Sequence, residues 1–226
     1  PPQVAAQIEL AHHDAVTDAL AFIEKHALYS REGTNGVRQV DVTGLVAAAF
    51  THRDSRAGDP DLHTHVAVAN KVQTLDGAWL AVDGRPLHAG MVSISEVYNT
   101  ALEAHLVARL GLRFAAEAAR VPGKRVVREI VGVPVRLREA WSSRRAAIEA
   151  RQAELAVDFQ RAHGRPPTPA EAIALAQQAT LETRQAKHEL RSLAEQRTTW
   201  ATQARAVLGV DGVARMLTDV TTAGRQ

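Results

Sequence analysis

Cysteine is absent from the 226 residues. Its absence excludes disulfides, thiolate metal sites and a cysteine nucleophile, and it suits a reducing cytoplasm. Aromatic residues are scarce at 4%, and the only tyrosines are Tyr29 and Tyr98. No apolar run approaches the roughly 18 residues of a membrane-crossing helix, so membrane insertion is not expected. No charged segment leads into an apolar one at the start, so no signal peptide is expected either. An initiator methionine is missing too. The chain opens "PPQVAAQIELAHHDAVTDAL" and enters a helical pattern at once, which reads as an internal piece of a longer chain. A dominant charge sign is also lacking. Lysine and arginine number 27 against 25 acids, for a net charge of +2. The cations are mostly arginine, the better fork for phosphate, but so small a net charge does not by itself mark a nucleic-acid binder.

What is present suits one or two domains with a real core, since 46% of residues are hydrophobic. Val4, Ile8, Val16, Leu20 and Ile23 recur at helical spacing, so residues 3–28 read as a helix. "YSREGTNG" reads as a turn, and "VRQVDV" and "LVAAAFTH" as extended segments. The second is nearly all apolar, as a central strand would be. "RDSRAGDPDL" reads as a ten-residue loop and "HTHVAVANKVQ" as the next strand. Asp76-Gly77 is a hairpin signal, and Asp83-Gly84 reads as a second turn. Ile94, Tyr98, Leu102, Leu106 and Leu110 mark a helix that Gly111 ends. "VVREIVGV" closes this part as a strand.

After Pro134 the composition turns helical. Residues 136–163 read as one long helix stopped by Gly164. Thr168, Pro169 and Glu171 form a capping box that opens the next helix, and Ser192 with Glu195 forms another. The expectation is an α+β domain over 1–134, with an antiparallel sheet and helices packed on one face, followed by an all-α extension over 135–226.

The stretch "FTHRDSRAGDPDLHTHVAVAN" holds three of the ten histidines, His52, His63 and His65. Side chains alternate across a strand, so His63, His65, Ala67, Ala69, Lys71 and Gln73 share one face. Thr64, Val66, Val68, Asn70 and Val72 share the other, which reads as the face that packs under helices. His52 ends the preceding strand. If the intervening loop joins antiparallel neighbours, the three imidazoles converge at one end of the sheet. Three neutral imidazoles suit a divalent metal and leave coordination positions open, as in a catalytic site. The alternative is a set of solvated or hydrogen-bonded histidines on an exposed face.

Arg53 and Arg56, in the loop between these histidines, are candidates for phosphate contact or for ion pairs with Asp54 or Asp59. Lys71 and Gln73 either track a DNA backbone or form a solvated strand end. Asp59 and Asp61 either orient imidazoles or serve the turn around Pro60. Arg144 and Arg145 read as a solvated helix face, and Trp79, Trp141 and Trp200 as core anchors. The other seven histidines (12, 13, 26, 88, 105, 163 and 188) have no converging partner by spacing.

The same stretch resembles the three-histidine signature of the TrwC/TraI-type conjugative relaxases, which belong to the HUH endonucleases. The likeness rests on the first histidine, the Ser55-Arg56 pair, the "DP-LHTH" run and the strand ending in Asn70. It continues through "DGAWLAVDGRPLHAGMVSISEVYNTALEAHLVARLGL", "REIVGVP" and "WSSRRAAIE", covering most of residues 10–150. The resemblance implies that His52, His63 and His65 hold one divalent cation, Mg or Mn before Zn or Ni. It implies single-stranded DNA at a plasmid transfer origin as substrate, with other relaxosome proteins as possible partners, in a bacterial cytoplasm. It further implies that a tyrosine attacks the scissile phosphate, leaving a 5′-phosphotyrosine and a free 3′-hydroxyl.

The sequence departs from that pattern in its tyrosines. The family's nucleophiles, and an acidic residue that assists them, lie upstream of the first helix here. Tyr98 shares an apolar helix face with Ile94 and Leu102, and Tyr29 sits in a turn. Neither takes the nucleophile's role, so the fragment is expected to hold the metal half of the active site and not to cleave DNA alone. Two rivals remain: a three-histidine metal-dependent hydrolase using water, and a non-catalytic DNA-binding module.

Overall fold

The computed structural model describes residues 2–117, 126–186, 189 and 191–222; His188 lies outside them. The elements run α1 (Pro2–His26), β1 (Ser30–Glu32), β2 (Arg38–Val40), β3 (Ala47–Asp54), β4 (Pro60–Val68), β5 (Val72–Gln73) and β6 (Trp79–Leu80). They continue with α2 (Gly84–Leu110), β7 (Phe114–Ala116), β8 (Arg128–Ile130), α3 (Val135–Ala140), α4 (Ser143–His163), α5 (Pro169–Glu182), α6 (Leu193–Leu208) and α7 (Val210–Thr222). The fold is α+β. Among the described residues the strands form four two-stranded ladders, β1–β2, β3–β4, β5–β6 and β7–β8, in place of one continuous sheet. Two compact units are present, one of residues 1–52, 62–131 and 220–226, the other of 53–61 and 132–219.

In the first unit α1 packs against α2. The most buried positions of α1 are Ala11, His12, Ala15 and Ala19, while Ile8 is 36% exposed. Alanines spaced by four make a stripe with little side-chain bulk, which lets a second helix come close. The larger aliphatics that betray the helical period therefore flank the contact. Leu106 of α2 joins Ala11 and Leu112 in a buried cluster, with Leu102, Phe114 and Ile130 packed around it.

Asp83-Gly84 is not a turn. Asp83 is the N-cap of α2, its carboxylate accepting from the Arg85 N–H at 3.2 Å. The helix thus starts ten residues before Ile94. It ends as expected at Gly111, whose φ of 65° is left-handed and whose N–H reaches the Val107 carbonyl. Hydrogen bonds from Arg85, first, and from Arg31 hold the Asp83 carboxyl below its ordinary range.

β3 pairs with β4 and, among the described residues, with no other strand, and six of its eight residues are exposed. The central position suggested by its apolar run is not found. An alanine-rich run carries too little bulk to tell a covered strand from an open one. The loop is also shorter than expected. Both strands extend toward each other until only residues 55–59 remain, closed by the Ser55 N–H donating to the Asp59 carbonyl at 2.8 Å. Pro60 opens β4, where its missing N–H costs little.

In the second unit the helix expected from 136 to 163 is broken at Trp141-Ser142. The Ser142 hydroxyl bonds the Arg138 carbonyl at 2.7 Å, a side-chain bond that competes with helix continuation. The capping boxes at Thr168–Glu171 and Ser192–Glu195 are both present. Leu137, Ala204 and Leu208 form the buried cluster here, with Trp141 against them. None of the helices among the described residues is long and apolar enough to cross a membrane.

A three-histidine candidate metal centre

Antiparallel pairing of β3 with β4 is marked at two levels, and the Ser55–Asp59 bond closes the loop beyond them. The Ala69 N–H donates to the Val46 carbonyl, and the Thr51 and Thr64 hydroxyls meet at 3.0 Å. This register sets Thr51 opposite Thr64 and His52 opposite His63, one pair on each face of the ladder. His65 lies two residues along from His63 on the same face.

The three rings gather as the alternation implies. Ring centres are 5.4 Å apart for His52 and His63, 5.2 Å for His52 and His65, and 5.0 Å for His63 and His65. His52 and His63 lie nearly parallel, at 21°, with His65 edge-on to both. Around one ion with metal–nitrogen bonds of about 2.1 Å, three imidazole centres stand roughly 5 Å apart. The spacing therefore fits a shared cation. No group of three or more such side chains among the described residues is already assembled to hold an ion.

The other expected site residues are distributed differently. Arg53 follows His52 in β3, so alternation turns it to the opposite face. Arg56 donates to the Gln185 carbonyl at 3.3 Å. Lys71 is exposed, with its ammonium 5.5 Å from the centre of the Trp79 ring, and Gln73 donates to the Gly77 carbonyl at 3.1 Å. Trp79, 50% exposed, is no core anchor. Trp141 and Trp200 are half-buried and donate to Gln203 and to the Gly58 carbonyl, respectively. Asp59 does not orient an imidazole: its carboxylate is bound to the start of α4.

His12, set aside on sequence grounds, is the residue the sequence reading missed. It is 3% exposed and bonded at both ring nitrogens, Nδ1 to the Tyr98 hydroxyl at 2.8 Å and Nε2 to the Thr64 hydroxyl at 2.7 Å. Burial, then the like charges of His13 and His63, lower its pKa and favour the neutral ring. The signal available was its place beside Ala11, on the edge of an alanine stripe. A histidine there is buried and must find partners.

The chain belongs to the TrwC relaxase family, whose profile matches residues 1–207. It is 36% identical over 148 residues to the multifunctional conjugation protein TraI of Escherichia coli, and 33% identical to that of strain K12. Each match covers 61% of this chain but only 8% of the relative's length. Among solved structures, the conjugative relaxase TrwC with oriT DNA in a metal-bound form superposes with a TM-score of 0.70 at 25% identity, covering 89% of this chain and 64% of that one. Its metal-free complex with oriT DNA gives 0.69 at 26%, covering 90% and 67%.

Proposed function

We propose that this chain is the phosphate-holding part of a conjugative relaxase, which nicks and rejoins one strand of DNA at a plasmid transfer origin. The observation that carries the reading is the convergence of His52, His63 and His65 on one face of the β3–β4 hairpin. Similarity to relaxases solved with oriT DNA supports single-stranded DNA as the substrate. These three histidines would hold one divalent cation, Mg or Mn ahead of Zn or Ni. When bound, the ion supplies positive charge to the non-bridging oxygens of the scissile phosphate. The ladder register supplies the rest of the geometry, presenting the imidazoles together on one face. Lys71, exposed beside Trp79, would meet the DNA backbone on this side, whereas Arg53 faces away from the cluster.

Neither tyrosine serves as nucleophile. The Tyr98 hydroxyl is bonded to His12, whose other ring nitrogen meets Thr64 on the face of β4 opposite the cluster. Tyr29 is half-buried between α1 and β1. Residues 1–226 therefore bind the phosphate without cutting it. The test is fluorescence anisotropy of labelled single-stranded DNA with the chain, in Mn²⁺ and in chelator, for the natural sequence and for His63→Ala. Metal should tighten binding for the natural chain only, with the DNA left intact. Equal affinity in all four conditions would remove the reading, and hydrolysis by the chain alone would favour a water-using hydrolase.

A further inference from the structure

The β3–β4 ladder that carries the histidine cluster is a weak platform by itself. A lone two-stranded hairpin is marginally stable in water, and most of β3 is exposed. Something must hold the strands if three imidazoles are to keep one spacing. On the reverse face a single chain of hydrogen bonds ties four elements together. Tyr98 of α2 meets His12 of α1 at 2.8 Å, His12 meets Thr64 of β4 at 2.7 Å, and Thr64 meets Thr51 of β3 at 3.0 Å.

The positions matter more than the number of bonds. Thr64 is the residue between His63 and His65, and Thr51 immediately precedes His52. A bond that fixes the Thr64 side chain fixes the backbone from which both flanking imidazoles spring. A neutral imidazole donates at one nitrogen and accepts at the other, so the chain of hydroxyls runs in one direction through the ring. Partners one layer behind a ligand set orient it, and this chain of bonds runs from the buried His12 out to the exposed Thr51.

We propose that His12 is a positioning residue for the three-histidine cluster, setting through Thr64 and Thr51 the strand geometry that lets His52, His63 and His65 share one cation. The inference rests on the reading of that cluster as a metal site.

The test compares the natural chain with His12→Ala, His12→Gln and Thr64→Val by Co²⁺ titration, following the visible ligand-field absorption, with the melting temperature of each metal-free chain measured alongside. His12→Ala should bind Co²⁺ roughly 10- to 100-fold more weakly and change the band shape, the range found when outer partners of metal ligands are removed. His12→Gln, whose amide both donates and accepts, should recover most of the affinity. Thr64→Val keeps the side-chain shape and should reproduce the loss even if His12→Ala fails to fold. Folded variants that bind Co²⁺ within about twofold of the natural chain, with the same spectrum, overturn the inference and leave the metal site standing. No uptake by the natural chain overturns both.

Discussion

Asp59 caps a helix that begins 84 residues further along the chain. Its carboxylate accepts from the Ser143 N–H at 3.0 Å and from the Ser143 hydroxyl at 2.7 Å, at the first residue of α4. Ser142, the local N-cap, makes no side-chain bond to the helix start. An acid at a helix N-terminus satisfies orphan N–H groups and meets the positive end of the dipole. Asp59→Ala should therefore lower stability by about 1–2 kcal/mol, the usual cost of losing a cap, read by urea denaturation. An unchanged midpoint would mean that water replaces the carboxylate there.

Gly58, next to it, should not tolerate a side chain. Its φ is 85°, and an added Cβ would stand 2.9 Å from the Arg191 guanidinium. That guanidinium donates to Asp54 at 3.1 Å. The arginine end is flexible, so Gly58→Ala is expected to shift it and break the Asp54 pair, in addition to about 1–2 kcal/mol of left-handed backbone strain. A thermal melt of the variant should fall accordingly. A melt equal to that of the natural chain would show that the loop relaxes freely.

The neutral His12 makes stability depend on pH. Its pKa is lowered in the folded state, chiefly by burial, so between that value and the unfolded value of about 6.5 the unfolded chain binds the extra proton. The contribution is fully present above pH ~6.5 and is lost as pH falls toward the folded value. Melting temperatures taken from pH 7.5 down to 5.5 should decline, and His12→Gln should flatten that decline. Parallel curves for the two proteins would exclude His12 as the source.

The capping boxes were the most legible part of the sequence, although the start of α2 and the break at Trp141-Ser142 were not legible. Thr168 and Ser192 sit three residues before Glu171 and Glu195, and both capping boxes form, because capping is local chemistry. The α+β class followed from periodicity for the same reason. The histidine convergence was legible too, since strand alternation and one hairpin return fix which faces meet. What the sequence hid was long-range. Asp59 to Ser143 and His12 to Thr64 are partnerships across 84 and 52 residues, and no spacing rule connects them. The open face of β3 was hidden as well, because Ala47, Ala48 and Ala49 read alike whether covered or bare.

The central claim, that His52, His63 and His65 share a cation, is tested most directly by calorimetric titration of Mn²⁺ or Zn²⁺ into the 226-residue chain beside His65→Ala. The account predicts one ion per chain for the natural sequence. For the variant it predicts a loss of at least roughly tenfold in affinity, no smaller than the loss of an outer partner brings. Equal uptake by the two proteins, or none by the natural chain, would contradict it.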